Sequence, residues 1–275
     1  MSEEKAPDGL SPLESFGFDV RGLRRERRLT LKGLGRATGY SESYVSKVET
    51  GQTPASIKFA IGCDRVFGTG GLLARQLQQA LDGEHPTWFM PYIQLERRAS
   101  RILDYSTLFP QGLFQTEEYA HAVLRARMPR ATAAEVAAKV AARMQRHEIL
   151  EREAPTPPLV WTVLHESCLR TVVGGRQVMA RQLAHLTQLA ELPHFTLQLF
   201  EAGSGAPATG NAFALLFFNK GLPVLQIEGP HGGRPLEAPK VVSAATDAYD
   251  RLRADALGPD ASVARIHEIA KEYAP

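Results

Sequence analysis

LTLKGLGRATGYSESYVSKVETGQTP, residues 29–54, decides what the N-terminal part of this chain folds into. Leu31, Leu34, Ala37, Val45 and Val48 recur at spacings that place them on the inner faces of two short helices, over about residues 31–38 and 42–50. Gly39 lies between them and suits a tight left-handed turn, because it has no Cβ. Ser41 is placed as an N-cap whose hydroxyl accepts from amides of the following turn. Gly51 closes the second helix, and Pro54 is expected to open another. Helix, glycine turn and capped second helix predict a helix-turn-helix, the unit that sets its second helix in the major groove of DNA.

Charge around this stretch agrees. The 275-residue chain carries a net charge of only +2, with 44% hydrophobic and 23% charged residues, an ordinary globular composition. Yet residues 21–47 hold eight basic side chains (Arg21, Arg24, Arg25, Arg27, Arg28, Lys32, Arg36, Lys47) against Glu26 and Glu42, or 8 − 2 = +6. A basic face on a near-neutral protein suits phosphate. Cys63 and Cys168 are far apart in sequence and predict neither a disulfide framework nor a metal site. No apolar run approaches the roughly 20 residues needed to span a bilayer. The opening MSEEKAPDGLSP is acidic and lacks an apolar core, unlike a signal peptide. A cytoplasmic, nucleoid-associated location without membrane partners is expected.

Working outward, residues 1–13 read as a disordered lead-in. A first helix is expected over Glu14–Arg27, burying Phe16, Val20 and Leu23 and showing Arg21, Arg24, Arg25 and Arg28. A fourth helix is expected over about 54–67 and a fifth over about 70–81, so about five helices form an all-α head over residues 14–84. GEHPTWFMPY, residues 83–92, marks the boundary to a second domain over residues 85–275. There, helices are expected over 92–104, 116–127 and 131–153. The period then changes. Residues 159–166, 194–201, 212–219 and 222–229 are short and rich in β-branched or aromatic residues, which predicts roughly four strands. An apolar-faced helix (Val178, Leu183, Leu186, Leu189) separates the first two, and Asn219-Lys220-Gly221 joins the last two as a hairpin. Helices at 240–256 and 260–272 complete a mixed α/β (α+β) domain.

Position assigns candidate roles in DNA binding. Ser41, Glu42 and Ser43 open the recognition helix, with Ser46 and Lys47 a turn further on, where side chains reach base edges. Serine pairs with several bases, and glutamate accepts from cytosine. Tyr44, Lys32 and Arg28 suit phosphates, which fix register. The competing reading is a small helical bundle with a solvated basic face.

LRRERRLTLKGLGRATGYSESYVSKVETGQTPAS resembles the XRE-type helix-turn-helix of phage-repressor-like regulators, with YVSKVETG as the typical end of the recognition helix. It departs from that pattern at Leu31, where many relatives place a DNA-contacting Gln. Residues 95–124, 157–175, 179–206 and 211–229 resemble the large C-terminal domain of unknown function attached to such motifs in high-GC bacterial regulators. Relatives usually read Pro-Gly-Leu-Leu-Gln-Thr where this chain has Pro110-Gln111-Gly112-Leu113-Phe114-Gln115-Thr116, so Gln111 stands as an insertion. The resemblance implies a DNA-binding transcription regulator, sometimes likened to an antitoxin and often encoded beside a small acidic partner protein.

Other chemistry finds little footing. His165, Glu166 and Cys168 sit too close in sequence for a nucleophile–base pair, and capping and packing are the expected roles. His147-Glu148 and His267-Glu268 lack the second histidine of a metalloprotease motif. Gly203–Gly210 mimics a phosphate loop but leads into a strand rather than a helix. Trp88, Phe89 and Tyr92 are expected as a hydrophobic clasp between domains or one wall of an effector or partner site. Arg234, in the Gly229–Arg234 loop, is a second candidate for such a surface. The sequence therefore predicts a regulator that binds operator DNA through its head, with a C-terminal domain that dimerises and senses a partner protein or small molecule. No catalysis, cofactor or metal is expected. The rivals are an antitoxin-like protein that sequesters a small partner and an enzyme domain localised by a DNA-binding head.

Overall fold

The computed structural model describes residues 10–229 and 232–273. Five helices open the chain: α1 (Pro12–Glu26), α2 (Leu31–Thr38), α3 (Glu42–Glu49), α4 (Ile57–Phe67) and α5 (Leu72–Gly83). Helix α1 starts earlier than the sequence suggested, because Ser11 and Glu14 cap each other's backbone amides in a capping box. The rest of the expected lead-in, residues 1–9, lies outside the described residues. Pro54 does not open α4; the N-cap is Ser56, whose hydroxyl accepts from the Phe59 amide at 3.1 Å. Helix α5 has no cap of its own. Instead Asp64, reaching from α4, accepts from the Leu73 and Ala74 amides at 3.0 and 2.9 Å. Burial pushes that carboxyl up, but the hydrogen bonds from Thr69, Ala74 and Leu73 outweigh it and hold Asp64 below its usual range.

The helices share a core of Phe16, Val20, Leu34, Val45, Val48, Phe59, Phe67, Leu73 and Leu77. Helices α1 and α3 meet where α1 has Gly17: a Cβ there would lie 2.2 Å from the Val48 carbonyl oxygen. Helix packing this tight needs glycine on one side.

Beyond them come α6 (Met90–Arg98), β1 (Arg101–Ser106), α7 (Glu117–Arg127), α8 (Ala133–Gln145) and α9 (Glu148–Glu151). By their contacts the described residues form two compact units, one holding the chain up to His85 together with Leu124–Gln145, the other Pro86–Val123 and the chain from Arg146 onward. Helix α8 belongs to the first unit. Its Ala142 joins the helical core, and Lys139 Nζ donates to the Glu84 carbonyl at 2.8 Å.

The second unit is built on a six-stranded sheet, not four strands. It contains β1, β2 (Leu159–His165), β3 (Phe195–Phe200), β4 (Phe213–Phe217), β5 (Val224–Gly229) and β6 (Gly232–Leu236), in the order β3-β2-β1-β4-β5-β6. β1, β2 and β3 run parallel; β4, β5 and β6 join antiparallel. The helix expected over 92–104 is corrected: it ends at Arg98, Ala99 turns extended (ψ 139°), and Arg101–Ser106 is a central strand. Ile102 and Leu103 face opposite cores, as fits a strand covered on both sides. β6 is an edge strand, where Pro235 is tolerated because no inner neighbour needs its missing N–H. The single helix expected over 131–153 is two helices, α8 and α9.

On one face Ile102, Val160, Leu164, Leu197 and Leu216 pack under α6, α9, the short turn Gly112–Phe114, α11 (Arg176–Leu189) and α13 (Pro259–Tyr273). α10 (Ser167–Arg170) follows β2 directly. On the other face Leu103, Tyr105, Val163, Leu215 and Leu225 pack under Val242, Tyr249 and Leu252 of α12 (Pro239–Asp255).

Candidate nucleic-acid interface

Gly39 takes φ +82°, the left-handed conformation that lets the chain turn from α2 into α3. Ser41 then caps α3, its Oγ accepting from the Tyr44 amide at 3.1 Å. Val45, Val48 and Glu49 face inward. That leaves Ser41, Glu42, Ser43 and Lys47 exposed and Ser46 half-buried. Ser43 and Lys47 are four residues apart, on one face of the helix. Lys32, on α2, and Arg28 are also exposed. Arg28 has φ +54°, which ends α1 and turns the chain toward α2.

Two residues do more inside the head than outside it. Tyr44 is half-buried, stacks on Tyr40 at 4.6 Å and accepts from the Ser56 amide at 2.9 Å, which ties α3 to the start of α4. Arg24, expected to point outward, makes a two-pronged pair with Glu49 at 2.6 and 2.7 Å and also donates to the Leu29 carbonyl at 2.9 Å. The Glu49 hydrogen bonds and charge raise the guanidinium pKa, so Arg24 is committed to holding α1 against α3. Leu31 packs, half-buried, against the head core. Lys32, Arg36 and Lys47 are exposed, so the head keeps a basic surface for phosphate.

In the second unit, Phe89 and Tyr92 are buried in its core, their rings stacked at 5.1 Å, with the Arg146 guanidinium over both. Trp88 is half-buried and lies against Gly232. Arg234 is exposed on edge strand β6, which continues what read as a loop; residues 230–231 of that loop lie outside the described residues. His165 Nδ1 lies 2.6 Å from Ser167 Oγ and accepts from the Ser167 amide, a local cap. Cys168 is buried, its Sγ donating to the Ser106 carbonyl, and burial pushes its thiol pKa up; Cys63 is likewise pushed up to about 12. Among the described residues no group of three or more His, Cys, Asp or Glu is arranged to hold a metal ion, and no helix is long and apolar enough to cross a membrane.

Sequence reasoning missed a buried polar group in this unit. Asp104 of β1 accepts from Thr162 Oγ1 at 2.7 Å and Ser106 Oγ at 3.0 Å, and burial pushes its carboxyl up to about 7. Glu96 of α6 and Arg146 form a buried pair at 2.8 and 2.9 Å. Gln226 of β5 is buried with neither side-chain polar atom partnered. In sequence Glu96, Asp104 and Arg146 fall within stretches expected as helix, and Gln226 within an expected strand, with nothing local to show that they are buried.

A capped recognition helix presented by a glycine turn on a basic head defines a helix-turn-helix DNA-binding regulator. A helix-turn-helix domain matches residues 15–77, and the domain of unknown function DUF5753 matches residues 89–268. The second match spans well over half of the chain, which belongs to that family. No curated protein and no solved structure matches it.

Proposed function

We propose that this protein is a sequence-specific transcription regulator of the phage-repressor-like kind, acting in the cytoplasm as a homodimer whose C-terminal domain receives a signal. The observation that carries the reading is the exposed side of α3, where Ser41, Glu42, Ser43 and Lys47 stand free of the core, with Lys32 and Arg28 of the same head also exposed. Two-fold operators mirror two-fold proteins, which supports the dimer, and Leu222 and Ile227 offer exposed apolar surface at the antiparallel end of the sheet. The second unit serves binding rather than catalysis. In support, its cysteine is buried and protonated, and its His165–Ser167 contact acts as a cap.

Fluorescence anisotropy of the full chain on selected operator duplex tests the DNA reading. Ser43→Ala or Lys47→Ala is expected to cost about 1–3 kcal/mol where a base contact is lost, and a lost phosphate contact lowers the salt slope by about one. Equal affinity for selected and scrambled DNA would sink it. Light scattering on the full chain at micromolar concentration is expected to give twice the chain mass; a monomer refutes the dimer.

A further inference from the structure

One row of side chains crosses the sheet on the face beneath α6. Thr162 of β2 is paired with Asp104 of β1, Asp104 with Ala214 of β4, and Ala214 with Gln226 of β5. Paired residues on adjacent strands project to the same face. At a strand spacing of about 4.8 Å, Asp104 and Gln226 stand roughly 10 Å apart with Ala214 between them. The alanine methyl is too short to reach either. Gln226 is 3% exposed, and neither its Oε1 nor its Nε2 has a partner. Nor does β6 supply one at the paired position, which is Pro235, while the backbone at Gly233 presses close enough that a Cβ there would lie 3.1 Å from Gln226 Nε2. On the helical side, Gln111 Nε2 donates to Tyr92 Oη at 2.7 Å, and Gln111 Oε1 is again buried without a partner. Native proteins rarely leave such buried groups unbonded and pair them with protein, water or a ligand.

We propose that this face of the second unit is the binding site for a small uncharged molecule with a planar amide or lactam edge, held by Gln226 and Gln111. The inference deepens the sensor role proposed above and rests on it for its regulatory meaning. An idle carboxamide presents a donor beside an acceptor, and the partner that satisfies both at once is another amide edge. The guest is not an anion: Glu96 and Arg146 neutralise each other in a two-pronged pair, and Glu228, two residues along β5 from Gln226 on the same face, adds a negative charge that Arg146 feels. Asp104 adds a carboxyl already steadied by two hydroxyls, and burial pushes it up to about 7, which fits a neutral guest.

Uracil, 2-pyrrolidinone and cyclo(Gly-Gly), with the anion orotate as control, are titrated against the full-length protein by ligand-observed NMR and thermal shift. At least one neutral probe is expected to bind saturably at millimolar concentration, and orotate is not. Gln226→Met keeps the side-chain length and removes the amide edge; it is expected to weaken binding about tenfold or more, the worth of about 1.4 kcal/mol. Gln111→Met provides the same reading through the other amide should the first variant not fold. Absence of saturable binding by every neutral probe, equal binding to both variants, or a crystal structure with the probe in which Gln226 bonds only to ordered water overturns the site. If a probe binds through Gln226 but leaves operator affinity unchanged, the site stands and the sensor role falls. If the protein binds no operator, the regulator reading fails while direct titration still judges the site.

Discussion

Asp104 and His147 pull the stability of the second unit in opposite directions as the pH changes. Burial pushes Asp104 up to about 7 from an ordinary 3.8, so the folded state keeps a proton that the unfolded chain releases. Its contribution is therefore full below about pH 4 and lost as the pH rises toward 7. Burial, followed by the neighbouring His185 and Arg146, pushes His147 down to about 4 from 6.5. That contribution is full above about pH 6.5 and lost as the pH falls toward 4. Asp104→Asn removes only the first. Its melting temperature is expected to fall more steeply than that of the wild type on acidification from neutral pH; parallel curves would show that Asp104 does not titrate in this window. Such residues were hard to read in the sequence. An aspartate within Arg101–Ser106 looks like a break in an apolar pattern until Thr162 and Ser106 are seen to satisfy it. Arg24 resembled its exposed basic neighbours because its partner lies 25 residues further along. Ser41, Ser43 and Lys47 were legible because local helix geometry alone decides which side they face.

At the scale of elements, the helix-turn-helix was readable because each signal is short-range: the glycine turn, the serine cap and the inward valines lie within one stretch. β1 was not, since a strand covered on both faces loses its alternation and, following α6 closely, reads as more helix. β6 was hidden by its glycines and proline, which signal a loop unless an edge position tolerates them. The approach of α1 to α3 is another long-range fact. Gly17→Ala puts a methyl 2.2 Å from the Val48 carbonyl oxygen, so the helices must part. A loss of about 1–3 kcal/mol is expected in urea unfolding, as for other overpacked sites. Because α3 carries the exposed DNA-facing side chains, operator affinity should fall with it. An unchanged unfolding midpoint would show that the head absorbs the methyl without strain.

At the scale of the molecule, the chain passes between its two units at 85/86, 123/124 and 145/146. Helix α8 returns to the first unit, where Ala142 enters the core, Lys139 bonds the Glu84 carbonyl and Gln145 bonds Gln78. Proteolytic cleavage confined to the segment around residue 85 is therefore expected to leave both fragments co-eluting on a native column and separating only in denaturant. Immediate separation under native conditions would show that α8 adds little to the first unit. The same threading bears on how such regulators can be recombined. Grafting a foreign head in place of residues 1–85 would strip Ala142 and Lys139 of the surfaces they were shaped to meet. A working chimera has to transplant α8 along with the head, so a change of DNA preference by shuffling is tied to a segment well downstream of the reading helix.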